Sequence, residues 1–133
     1  MEHDELIGQV RHRARLSSWG DAERATRATL ATLSECIPGE LADNLAAELP
    51  WEIGGYLWHP AGYNGPADGT RFDRQEFVAR VAARAGIRQQ PAARLARTVF
   101  EVVAEAVQGD VMAKVTESLP DAIAELVTGG RDD

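Results

Sequence analysis

Cysteine is almost absent from this chain. Cys36 is the only one in 133 residues, so no intramolecular disulfide can form. No apolar run approaches the ~18 residues that a membrane span needs. Histidine is scarce too. His3, His12 and His59 never pair at helical spacing, no cysteine stands near them, and no Glu-x-x-His occurs. That spacing argues against a dedicated transition-metal site. There is no Gly-x-Ser-x-Gly nucleophile turn. Gly62-Tyr63-Asn64-Gly65 is too short, and lacks the lysine, for a phosphate loop. Period-two runs of β-branched residues are missing as well, so no sheet is expected. The opening Met1-Glu2-His3-Asp4-Glu5 is acidic and lacks the basic region of a signal peptide, which makes the cytoplasm the expected compartment.

Composition is otherwise that of an ordinary globular protein. Hydrophobic residues make up 44 % and charged residues 26 %, and the length suits one domain, residues 1–133. The net charge of −7 disfavours nonspecific binding to nucleic acid or anionic lipid. The charge is unevenly spread. Residues 71–97 hold seven arginines against Asp73 and Glu76, whereas residues 101–133 hold Lys114 and Arg131 against eight acids. Segments of opposite sign can neutralise each other within one fold.

The chain repeats itself. Glu5-Leu6-Ile7-Gly8-Gln9-Val10 aligns with Glu76-Phe77-Val78-Ala79-Arg80-Val81, and Arg13-Ala14-Arg15-Leu16 with Arg84-Ala85-Gly86-Ile87. After the loss of one residue, Gly39 aligns with Gly109, Glu48-Leu49-Pro50 with Ser118-Leu119-Pro120, and Ile53 with Ile123. The fold expected is all-α: a helical bundle made of two tandem copies of a four-helix unit. Repeat one covers 2–57, a Gly/Pro/aromatic linker covers 58–72, and repeat two covers 73–128.

Each copy has recognisable starts and stops. Asp73 is a good N-cap, Glu76 completes a capping box, and Phe72 with Phe77 occupies the places of a hydrophobic staple; Met1 and Leu6 hold the same two places in copy one. Gly86 is placed to end that helix, with Ile87 as its apolar follower. A short turn comes next, Ser17–Asp21 in copy one and Arg88–Pro91 in copy two, with Pro91 suited to the first helical position. The long second helix carries the stripes Ala22, Ala25, Thr29, Leu33, Cys36 and Leu95, Val99, Val103, Val107. Cys36 on that stripe reads as a small buried residue. The third helix carries Leu41, Leu45, Leu49 and Val111, Val115, Leu119, and Pro50 and Pro120 interrupt it before a short fourth helix. Between Gly54 and Thr70, glycine and proline recur often enough to block regular structure.

The run Glu76-Phe77-Val78-Ala79-Arg80-Val81-Ala82-Ala83-Arg84-Ala85-Gly86-Ile87, a long Ala/Val-rich helix and then Leu-Pro resembles the bacterial family known as domain of unknown function 2267, over essentially the whole chain. The resemblance implies a cytoplasmic helical bundle and brings no catalytic residue with it. The chain departs from the family pattern at Arg15, where glycine is expected, and in its long aromatic linker. The first two helices of each copy also resemble the helical body of the bacterial histone-like HU proteins, without the β-arm that contacts DNA there.

Two groups of residues are candidates for function. Arg80, Arg84 and Arg88 lie along one side of a helix and its following turn. Arg94 and Arg97 start the next helix. As a patch these arginines can grip an acidic partner or an anion, or they keep the helix soluble and pair with the acidic C-terminal segment. Aromatics form the second group. Trp19, Trp51 and Trp58 all lie in copy one or the linker, where copy two has Gln90 and Asp121 in place of Trp19 and Trp51. Either the linker folds back and buries these rings, or they form a patch for a partner, as Trp, Tyr and Arg dominate binding hot spots. The reading that follows is a non-enzymatic protein-interaction module without a cofactor, acting on an unknown protein or on a second copy through Trp51, Trp58, Tyr63, Arg80, Arg84 and Arg88. The alternative is a small-ligand carrier or enzyme whose site lies between the copies, with His59, Tyr63 and Arg84 as its polar groups.

Overall fold

The structure is a computed structural model, and it describes residues 1–57, 73–108 and 110–127. Among these residues it is all-helical. The elements are α1 (His3–Ala14), α2 (Trp19–Ser34), α3 (Gly39–Ala47), α4 (Trp51–Gly54) with a 3-10 turn (Gly55–Leu57), α5 (Arg74–Ala85), α6 (Gln89–Ala106), α7 (Val111–Glu117) and α8 (Asp121–Val127). The linker 58–72 with Trp58, His59 and Tyr63 lies outside the described residues, as do Phe72 of the expected staple and Gly109.

The helices start where side chains satisfy the first free backbone N–H groups. Ser18 Oγ accepts from the Asp21 N–H at 3.1 Å, and Asp73 Oδ1 accepts from the Glu76 N–H at 2.9 Å. The Ser18 cap brings Trp19 and Asp21 into α2, where the sequence reading places a turn. The start of α6 is early as well. Gln89 is its first residue, so Pro91 stands third rather than first. A proline is tolerated there because N–H groups of the first turn have no acceptor within the helix. Regular structure also continues past Gly54. The α4 helix and the 3-10 turn run to Leu57, against the irregular segment expected from Gly54 onward. Gly54 serves here as a contact. A Cβ on it would stand 2.8 Å from the Ala46 carbonyl oxygen, so only glycine lets α4 sit this close to α3.

Two helix ends show a shared device with different residues. Gly86 closes α5 at φ 72°, and the Ile87 N–H donates to the Ala82 carbonyl at 3.0 Å. Arg15 closes α1 at φ 58°, and the Leu16 N–H donates to the Arg11 carbonyl at 3.0 Å. Arginine in the left-handed region costs about 1 kcal/mol that glycine avoids.

Four long helices form the centre. The hairpin α1–α2 packs on the hairpin α5–α6 crosswise, with α1 against α6 and α2 against α5. The core between them holds Leu6, Ile7, Val10, Leu30 and Leu33 from one hairpin and Phe77, Val81, Val99, Phe100 and Val103 from the other, all fully buried. The Phe77 and Phe100 rings meet at 6.1 Å between centroids. Each such side chain contributes roughly 1.5–3 kcal/mol by leaving water. Cys36 is buried, as its stripe position predicts. Outside this core, α3 lies against α7, and α8 packs on α6.

Candidate functional site

Arg80 and Arg84 project from α5 across the helix interface. Arg84 Nη2 meets Glu35 Oε2 at 2.6 Å, and its Nη1 donates to Thr32 Oγ1 at 2.8 Å. Arg80 Nη1 meets Glu35 Oε1 at 3.1 Å, while its Nε donates to Glu76 at 2.8 Å. Both therefore reach Glu35 on α2, a residue outside the acidic stretch 101–133 with which the sequence pairs them. Glu35 ends α2, so the two guanidinium groups also face the negative end of that helix. Burial pushes the Glu35 carboxyl upward, but the Arg84 and Arg80 bridges outweigh it and hold the group below the usual carboxylate range. Arg88 is not part of this cluster. It sits exposed at the N-cap of α6.

A second bridge, missed in the sequence, mirrors the first. Arg13 on α1 grips Glu105 on α6 with both terminal nitrogens, at 2.9 and 2.7 Å, and Glu101 lies 3.5 Å away. The hydrogen bond to Arg13 holds Glu105 below the usual carboxylate range. A signal existed. Arg13 and Arg84 are 71 apart, and Glu35 and Glu105 are 70 apart, the offsets of the internal alignment.

Between the ends of the two hairpins lies a cleft of about 580 Å³. Ala14, Arg15 and Leu16 at the end of α1 and Arg24 and Ala25 of α2 form one wall. Ala85, Gly86 and Ile87 at the end of α5 and Arg94 and Leu95 of α6 form the other. Arg13, Asp21 and Thr98 complete the polar lining. Arg84, the candidate ligand group among the described residues, is not part of this lining; its guanidinium is turned toward Glu35. Arg94 belongs to the arginine group read from the sequence; Arg15 and Arg24 do not, because spacing along one helix does not show which side chains two hairpins bring together.

The aromatics are not all buried. Trp51, the first residue of α4, is 82 % exposed. Trp19 is 39 % exposed, with its ring edge-on to His3 at 6.5 Å between centroids. Trp51 and Pro50 share a shallow groove with Met1, which Glu2, His3, Asp4 and Glu52 also line. Ile53, two residues on, is fully buried and anchors the short helix that presents the indole.

No group of three or more metal-binding side chains occurs among the described residues, and no helix there is long and apolar enough to cross a membrane. Fold and surface together define a cross-braced, all-helical bundle in which two helical hairpins exchange arginine–glutamate bridges. The chain belongs to the family called domain of unknown function 2267, described as an uncharacterized conserved protein, whose profile matches residues 3–126. No curated protein matches it.

Proposed function

We propose that this chain is a non-catalytic, cytoplasmic interaction module built from two tandem copies of one four-helix unit, 2–57 and 73–128, joined by 58–72 in a single domain. The reciprocal bridges Arg84–Glu35 and Arg13–Glu105 support the repeat, because they relate residues at the alignment offsets. The partner surface is the groove around Trp51. One observation carries this reading. A tryptophan stands 82 % exposed on a short helix that Ile53 anchors in the core. An indole held out on a rigid support loses little freedom when a partner covers it. The acidic lining of Glu2, Asp4 and Glu52 favours a partner with a basic border, or a second copy offering its arginines. Trp58 and Tyr63 belong to this proposal by their sequence position, and Arg80, Arg84 and Arg88 would serve it as a second contact.

The test is a photo-crosslinking residue placed at Glu52, beside Trp51 in the groove, and separately at the exposed Ala83, in the host cell. An adduct of defined mass from position 52 and none from position 83 supports the proposal. No adduct from position 52 removes it.

The cleft between the hairpins favours a second reading, a carrier of a small ligand. Its volume of about 580 Å³ lies in the range of ligand pockets.

A further inference from the structure

The cleft is basic in an acidic protein. Arg13, Arg15, Arg24 and Arg94 line it against one acid, Asp21. Two of these cations are engaged, Arg13 by Glu105 and Arg24 by Asp21 at 3.2 Å. Arg15 and Arg94 are different. Among the described residues no carboxylate lies within ion-pairing distance of either, although the whole chain carries an excess of acids. Much of the remaining lining is apolar, with Leu16, Ala25, Ile87 and Leu95. Arg15 adds a separate observation. It holds a left-handed backbone, φ 58°, where Gly86 on the opposite wall holds φ 72° without strain. The chain thus keeps an arginine in the cleft lining at a backbone position that suits glycine.

We propose that this cleft binds a small organic anion, an apolar body carrying a phosphate or carboxylate group, with Arg15 and Arg94 on the acidic oxygens and Leu16, Ile87 and Leu95 on the body. The inference rests on the carrier reading and names its ligand class. Guanidinium forks bind such oxygens bidentately, and a partly enclosed apolar site strengthens the contact. Asp21 limits the charge accepted, so a single acidic group fits better than a polyanion.

The experiment is calorimetric titration of the full chain with 1-naphthyl phosphate, 1-naphthol and inorganic phosphate, with amide chemical shifts to locate the site. The expected result is that 1-naphthyl phosphate binds at least tenfold more tightly than either fragment and moves the Leu16 and Ile87 amide signals. Arg94→Gln weakens it about tenfold, as the loss of one charged hydrogen-bonding group should. Arg15→Gly also weakens binding while raising the melting temperature by a few degrees, a combination that general unfolding cannot produce. If 1-naphthol binds as well as its phosphate and neither arginine matters, the anion assignment is wrong and the carrier reading survives. If inorganic phosphate binds as tightly as the ester, the apolar walls play no part and the proposed ligand class is wrong. If no probe binds, both readings fall.

Discussion

The two arginine–glutamate bridges occupy matching places and differ in their surroundings. At one, a single acid, Glu35, holds two arginines, with Thr32 supporting Arg84 from the helix interface. At the other, a single arginine, Arg13, holds two acids, Glu105 and Glu101. The Glu35 side chain is 30 % exposed and that of Glu105 is 51 % exposed. The first bridge is therefore less screened by water than the second. Similar residues at similar places need not contribute equally, since the contribution follows burial and the number of charges sharing the site.

The cores behind the bridges differ as well, and there the largest effect is expected. Phe100 fills the α6 position that Leu30 fills on α2, and both are fully buried. Phe100→Ala is expected to cost about 3–5 kcal/mol, and Leu30→Ala less within the range of about 2–5 kcal/mol for its type. Urea denaturation of the two variants measures both, and a larger loss at Leu30 would break the comparison. The bridges come next. Glu35→Ala leaves Arg80 and Arg84 side by side without their shared acid, and we expect a loss of about 1 kcal/mol after allowance for solvent screening. Glu105→Ala is expected to have the smaller effect, and 1 M salt should erase it. Equal losses in low salt would show that burial does not set the difference.

A gain is expected at Thr29. Its hydroxyl is buried and has no partner among the described residues, whereas the corresponding position on α6 is Val99. Thr29→Val removes an unsatisfied polar atom and should stabilise the fold by about 1 kcal/mol. A drop in melting temperature would mean that the hydroxyl has a use. The smallest effect is the pH slope. Glu35 titrates below its unfolded value, so its contribution is present above the ordinary carboxylate pKa of about 4.3 and is lost as pH falls through the folded value. Glu35→Gln should flatten the fall in stability in that acid window, and Glu105→Gln should flatten it less. Stability curves of both variants at pH 3 to 7 make this check.

Much of the fold was legible because it depends on local chemistry. Asp73 as a cap, Gly86 as a stop and the stripes through Leu33 and Val103 need only neighbouring residues to be read. Starts were harder, as at Trp19 and Gln89, because several residues compete for a first turn that frays easily. The site was less legible. Arg80 and Arg84 were singled out for their spacing on one helix, but their acid is contributed by another hairpin. The cleft joins residues about 70 positions apart, and only the internal alignment hinted that Arg24 and Arg94 face one space. Exposure at Trp51 is only one of two readings that the sequence allows. A tryptophan after proline fits a buried helix start as well as an open one.

Native mass spectrometry of the chain purified gently from its host, beside the Trp51→Ala variant, tests the interaction proposal most directly. The account predicts that the wild type carries a bound protein or a second copy, and that Trp51→Ala, with unchanged helicity by circular dichroism, loses it. Identical masses for the two, whether bare or bound, would contradict the claim that the Trp51 groove is where this protein meets its partner.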